Sequence, residues 1–180
     1  MHQLNIMPKA ESRIFCFFGS TIGNFNASEV KSFMTLLGNE MKKGDSLLMG
    51  MDMIKDISVV EKAYNDSRNI TAAFNKNILN VINSLINSNF NTSNFEHYAF
   101  YNKDLNRIEM HLKAKKSMII SINNQEDFIE IRKGETIHTE NSHKFNHESI
   151  NTIGNWADLS TKLIVEDDNK WFSLVHYVKN

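Results

Sequence analysis

With a single cysteine, Cys16, the chain cannot form an internal disulfide, and a reducing, cytoplasmic setting is the expectation. A single proline, Pro8, and the lack of any Gly/Ser-rich stretch leave no linker, so a second domain must be an insertion rather than an appended module. No apolar run approaches the ~20 residues of a membrane helix. The first residues lack the charged-then-apolar layout of a signal peptide. Neither sign of charge is in excess: 20 Lys and Arg face 21 Asp and Glu, which leaves no electrostatic footprint for nucleic acid or a membrane surface. Internal repeats are missing too. The many Asn, Lys and Ile residues read as compositional bias, and the Asn-x-Ser/Thr matches, such as Asn26-Ala-Ser, as chance.

What remains is enough for one domain, or for one domain carrying a sizeable insertion. Residues 13–18, RIFCFF, show no polar alternation and predict a strand buried on both faces of a parallel sheet, with Cys16 as packing. Residues 27–41 place Val30, Phe33, Met34, Leu37 and Met41 on one helical face, with Asn26 or Ser28 as cap and Gly44 as stop. A second apolar run, Leu47 to Met51, ends at Asp52. Strand, helix and strand with short links make a βαβ unit, whose ligands gather outside the carboxyl ends of the strands. Gly19-Ser20-Thr21 and Asp52 both fall there.

Further along, helices are expected at 58–64 and 69–85, the second with a stripe of Ile70, Phe74, Ile78, Val81, Ile82 and Leu85. Strands follow at 98–101, 107–114, 117–122 and 128–131, then an extended IHTENSHKF segment, a helix at 147–155 and a terminal hairpin turning at Asp167-Asp168-Asn169. In the strand at 107–114, Ile108, Met110, Leu112 and Ala114 alternate with Glu109, His111 and Lys113, so core packing is the plain reading of Met110.

Several patterns carry possible chemistry. A glycine after a strand lets a ligand approach the backbone, and Asn24 in GSTIGN offers donors and an acceptor to a zwitterion or amide. The same loop would serve equally as a tight connection, since it is neither GxGxxG nor a phosphate loop with its lysine. Glu140 and Ser142 lie two apart and would face one way on an extended segment, suited to an N–H-bearing ring or simply to solvent. His138, His143 and His147 match no zinc spacing, and no metal is expected. No conspicuous Ser-His or Cys-His pair suggests a covalent nucleophile, so no catalytic residue is assigned.

Taken in order, FFGSTIGNF, GDSLLMGMDMIKD, AYNDSRNITAAFNKNILNVIN, FEHYAFYN with RIEMHLKAK, and GETIHTENSHKF resemble the histidine-specific, S-adenosylmethionine-dependent methyltransferases over roughly residues 4–178. Members of that family methylate the α-amino group of histidine toward hercynine and ergothioneine, and a fungal branch acts on prenylated tryptophan. The resemblance implies an amino-acid pocket lined by Gly19 and Asn24, with Asn24 and Tyr64 on the amino and carboxylate end of the substrate. It also implies that Glu140 and Ser142 bond the imidazole and that Met110 packs on the ring, a set that favours histidine over tryptophan. Direct methyl displacement needs no metal, only positioning and a desolvated pocket.

The chain departs from the family in starting just upstream of the FFGSTIGN strand. Nothing in it resembles the family's Gly-rich cofactor loop or its acidic ribose and adenine ligands, so S-adenosylmethionine is implied by the resemblance while its binding residues stay unassigned. The expected fold is α/β: the C-terminal half of a doubly wound, Rossmann-like class I methyltransferase sheet from 1–54 and 146–180, with an α+β substrate lobe inserted at 55–145. The expected function is methyl transfer to the α-amino group of histidine. The alternative is a non-catalytic remnant that binds an amino acid or a partner and complements a separate N-terminal half. Expected partners are histidine or a related amino acid, and either such a half or a second copy meeting the edge at residues 14–18.

Overall fold

The computed structural model describes residues 12–123 and 127–180. The chain divides into two compact units, Met1–Lys55 with Ser142–Asn180, and Asp56–Asn141. The division falls before Ser142 rather than after residue 145, because Phe145 belongs to the first unit's core and pairs with Met53 in a parallel bridge.

In the first unit, β1 (Ile14–Phe17) leads through α1 (Ala27–Glu40) to β2 (Ser46–Asp52), and the two strands pair in parallel. Asn26 caps α1: its side chain accepts from the Glu29 amide, and Glu29 returns a bond to the Asn26 amide. Val30, Met34 and Leu37 of α1 are buried against Leu47, Met49 and Met51 of β2. Helix α4 (His147–Asn155) adds Ile150 and Ile153 to the same core. The terminal hairpin of β8 (Leu159–Glu166) and β9 (Phe172–Lys179) completes the sheet. Its order is β1-β2-β9-β8, so the last strand slots antiparallel beside β2. Tyr177 of β9 is fully buried, its hydroxyl donating to the Ile150 carbonyl, and burial pushes its pKa up.

The expectation that β1 is buried on both faces does not hold. Ile14 is 68% exposed, Phe18 55%, and Cys16 is exposed rather than packed. Among the described residues β1 is the sheet edge, so its outward side chains and one line of backbone groups meet no partner strand. What anchors it is Arg13. The Arg13 amide and guanidinium bond the buried Asp45 carboxylate at 2.6–2.9 Å, and the guanidinium also reaches the Glu40 carbonyl. Burial alone would raise the Asp45 pKa, but the bonds from Arg13 and the Lys42 amide outweigh it and hold it low.

The second unit contains α2 (Ile57–Tyr64), α3 (Ile70–Ile86), β3 (Phe95–Asn102), β4 (Arg107–Ala114), β5 (Met118–Ile122), β6 (Asp127–Ile131) and most of β7 (Thr136–His143). Strands β3 and β4 form an antiparallel hairpin with β7 beside β4, while β5 and β6 pair separately. Ile108, Met110, Leu112 and Ala114 of β4 are buried, as their alternation predicts.

Helix α3 forms at its expected place but presents a different face. Ile70, Phe74, Ile78, Val81 and Leu85 are exposed, whereas Asn75 and Leu79 are buried. Asn75 tolerates burial because its amide donates to the His111 carbonyl at 3.1 Å and meets the His97 ring at 2.9 Å. A satisfied polar residue thus takes a core position that an apolar stripe was expected to fill.

Two outcomes test this account. Asp45→Ala strands the largely buried Arg13 guanidinium and should cost about 3–5 kcal/mol in urea unfolding, the range for removing one member of a buried pair; a cost under ~1 kcal/mol, typical of a surface pair, would mean that the pair is not an anchor. The exposed β1 edge should drive concentration-dependent self-association in light scattering, and Cys16→Lys should reduce it by placing charge on the edge.

Candidate functional site

The loop after β1 explains the GSTIGN pattern. Gly19 has φ +75° and Ser20 φ 54°, so the chain turns through two left-handed residues before a 3-10 turn at Thr21–Asn24. Glycine adopts that conformation without a steric penalty. Ser20 is held in it by a bond from the Asp52 amide to its hydroxyl oxygen, 2.9 Å. Gly23 has a separate reason to be glycine: a Cβ there would lie 2.9 Å from the His143 carbonyl oxygen. The loop therefore lies directly against the end of β7, leaving Gly19 and Asn24 exposed at the carboxyl end of β1.

At the neighbouring strand end, Asp52 accepts from two lysines. Lys144 Nζ lies 2.7 Å from its Oδ2, and Lys55 Nζ 2.5 Å from its Oδ1. The Lys144 side chain has no solvent exposure, and its Nζ also donates to Ser142 Oγ at 2.8 Å. Sequence reasoning did not single out Lys144, one of 20 basic residues, because only burial distinguishes it. Three of the six expected site residues thus stand in this unit: Gly19 and Asn24 exposed, Ser142 buried.

The other three lie in the second unit. Tyr64 ends α2 and packs with Tyr101 on a cluster of Val60, Ala99, Ile108 and Met110. Met110 itself is 3% exposed, so its side chain belongs chiefly to that cluster. Tyr64 also lines a polar cavity of about 290 Å³ with Asn65, Asp66, Asn69, Lys76 and His97. Glu140 lines a different cavity of about 220 Å³, walled by Phe74, Ile78 and Val81 with Asn75, Asn77 and Thr139. Thr139 Oγ1 donates to the Met110 carbonyl at 2.9 Å, tying this wall to β4. Three of the exposed apolar residues of α3, Phe74, Ile78 and Val81, therefore line a cavity beside a carboxylate.

The histidines separate. His147 pairs with Glu166 at 3.0 Å in the first unit. His138, in the second, stacks on His111 with ring centroids 4.6 Å apart and planes 13° from parallel. Glu109 joins that stack, and one ligand atom from each of Glu109, His111 and His138 lies within 4.8 Å of the others. Stacked rings direct their nitrogen lone pairs side by side rather than to one point. Glu109 is also committed, accepting from Arg107 at 2.7 Å, Asn102 at 2.9 Å and His111 at 3.2 Å. The arrangement is two stacked imidazole rings beside the Arg107–Glu109 ion pair.

The model of the histidine-specific, S-adenosylmethionine-dependent methyltransferases matches residues 1–179. The chain belongs to this family. It is 37% identical over 147 residues to the histidine N-alpha-methyltransferase of Mycolicibacterium smegmatis, covering 82% of this chain and 46% of that protein. The L-tryptophan methyltransferase of Psilocybe serbica is 28% identical over 170 residues, with 87% and 46% covered. The chain thus spans about half the length of these relatives. A solved S-adenosylmethionine-dependent methyltransferase from Clostridium acetobutylicum superposes with a TM-score of 0.44 at 9% identity, over 96% of this chain and 59% of that one. The fold is α/β, and among the described residues no helix is long and apolar enough to cross a membrane.

The family implies S-adenosylmethionine. The strand ends here offer Gly19, Ser20 and Asp52, and both Asp52 carboxylate oxygens already accept from lysines. No uncommitted carboxylate stands there for a ribose, and the described residues do not by themselves fit the cofactor.

Glu109 contributes to the acid behaviour of the second unit, as does Asp66, whose carboxylate the Thr71 and Ile70 amides hold low. Burial raises the Glu109 pKa, but bonds from Arg107, Asn102 and His111 more than compensate and bring it to about 2. A carboxylate held below its unfolded value stabilises the fold above that value and loses this contribution as pH falls through the folded one. Urea midpoints should therefore drop between pH 4.5 and pH 2, and Glu109→Gln should flatten that drop. A variant as acid-sensitive as the parent would move the effect to other carboxylates.

Proposed function

We propose that this chain supplies the amino-acid-binding part of an S-adenosylmethionine-dependent methyltransferase acting on the α-amino group of histidine, in ergothioneine-type chemistry. The observation that carries the reading is the Glu140 cavity. Phe74, Ile78 and Val81 offer flat-ring contact while the carboxylate can accept a ring N–H. The TENS segment holding Glu140 and Ser142 resembles the family's imidazole-binding motif, and the same resemblance assigns Gly19, Asn24, Tyr64 and Met110 to its other pocket positions. In this reading Asn24 and Tyr64 hold the amino and carboxylate end, Ser142 and Glu140 the imidazole, and Met110 supports the ring. Family membership supports S-adenosylmethionine as donor, and the single cysteine suits a cytoplasmic setting. The acceptor must be a neutral amine held in line with the donor, so these residues contribute orientation and exclusion of water rather than a covalent intermediate.

A second reading, of a non-catalytic amino-acid-binding piece that completes a separate cofactor-binding half, draws on the exposed edge of β1 and on the lack of fit for the cofactor. The two differ in turnover: methyl transfer by the chain supports the first, and transfer only on adding a cofactor-binding methyltransferase half supports the second.

Calorimetry with histidine, tryptophan and lysine should show histidine binding tightest. Losing a hydrogen bond to a charged group costs about 1.5–3 kcal/mol, so Glu140→Ala should weaken histidine binding roughly ten- to a hundredfold. Unchanged affinity would remove Glu140 from the site, and equal affinities for the three amino acids would remove histidine as the substrate.

A further inference from the structure

Three hydrogen bonds in the second unit leave His97 a single tautomer. The amide nitrogen of Asn75 donates to the His111 carbonyl at 3.1 Å, and a carbonyl can only accept, which fixes the way the Asn75 amide points. The same nitrogen lies 2.9 Å from His97 Nδ1, which must therefore accept. With Nδ1 accepting, the ring proton sits on Nε2, 2.9 Å from the Tyr64 carbonyl, and donates to it. Tyr64 is the last residue of α2, where helix geometry leaves carbonyls without an intrahelical partner. The buried Asn75 thus sets the ring, and the ring takes the orphan carbonyl.

We infer that His97 is a positioning residue for Tyr64, holding the end of α2 so that the tyrosine meets the amino and carboxylate end of the substrate. The inference rests on the reading of Tyr64 as a substrate-binding residue. It acts through the main-chain carbonyl and is independent of what the Tyr64 hydroxyl bonds. The neighbours of Tyr64 are fixed as well: Asn65 donates to the Ala99 carbonyl at 3.1 Å, and the Asp66 carboxylate accepts from the Ile70 and Thr71 amides at 2.9 and 2.8 Å. Those bonds set the turn after α2, and His97 sets the residue before it. The tyrosine packs on Val60, Ala99, Ile108 and Met110, and it borders the same polar cavity as His97. All of these residues belong to the second unit. Spacing could not show this role, because 33 residues separate His97 from Tyr64.

Two variants of the 180-residue chain decide this, each checked for folding by circular dichroism. His97→Phe keeps a flat ring without donor or acceptor, and His97→Gln keeps a donor. Long-range proton–nitrogen spectra of the unliganded parent should show His97 with its proton on Nε2 and none on Nδ1. The Tyr64 ring signals should shift in His97→Phe and stay close to the parent in His97→Gln. By calorimetry His97→Phe should bind histidine roughly three- to tenfold more weakly, the span of one net hydrogen bond, and His97→Gln should recover most of that loss. In a Tyr64→Phe background His97→Phe should cost less than about twofold, because two residues that act as one unit are not additive. A bond that served only the fold would cost the same in both backgrounds. A proton on Nδ1, an unchanged affinity in His97→Phe, or equal losses with and without the Tyr64 hydroxyl overturns the inference. If the parent binds no histidine, the reading of the site is overturned, and the imidazole and Tyr64 signals still decide whether His97 holds Tyr64.

Discussion

A lysine ammonium wholly removed from water needs an opposite charge and bonds for its protons, and Lys144 finds these in Asp52 and Ser142. This requirement ties the carboxyl end of β2 to the end of β7, two segments far apart in the chain. It also sets the loop after β1, because the Asp52 amide holds the Ser20 hydroxyl and Gly23 lies against the His143 carbonyl. Replacing an ion pair of this kind with apolar residues is often neutral or stabilising, so its presence is poorly explained by stability alone. It stands at the strand ends, the place where open α/β sheets bind ligands.

The second unit solves the opposite problem. Its apolar helix α3 keeps much of its aliphatic and aromatic surface outward and buries Asn75 instead. An asparagine in a core is acceptable only with its hydrogen bonds made, and the His111 carbonyl and His97 ring make them. The apolar side chains left outside include the walls of the Glu140 cavity. Apolar contact beside a carboxylate is the usual character of a small-molecule site, with shape from the walls and orientation from a single polar group.

Much of this was legible in the sequence. The βαβ unit, the α2 and α3 helices, the β3–β4 hairpin and the terminal hairpin follow from periodicity and turn residues, because local patterning at 2 and 3.6 residues reports secondary structure directly. The family was legible as well, since five motifs in fixed order resemble it along the chain. The structure departs from the sequence pattern where amphipathicity does not report direction. The stripe on α3 is real, yet periodicity cannot say whether an apolar face meets a core, a cavity or solvent. Likewise the apolar run in β1 predicts burial only when strands lie on both sides.

By itself, then, the sequence determined the elements, their order and the family, because backbone propensity, side-chain spacing and motif order are properties of the chain. It also marked Gly19, Asn24, Asp52, Glu140 and Ser142 as residues of interest. Tertiary structure alone decided that Lys144 is buried against Asp52 and Ser142, that Gly23 is required by a carbonyl 120 residues later in the chain, and that His138 stacks on His111 instead of joining His143 and His147. Burial and long-range pairing depend on which distant segments the fold brings together, and a buried ammonium differs from an exposed one only in the solvent it has lost.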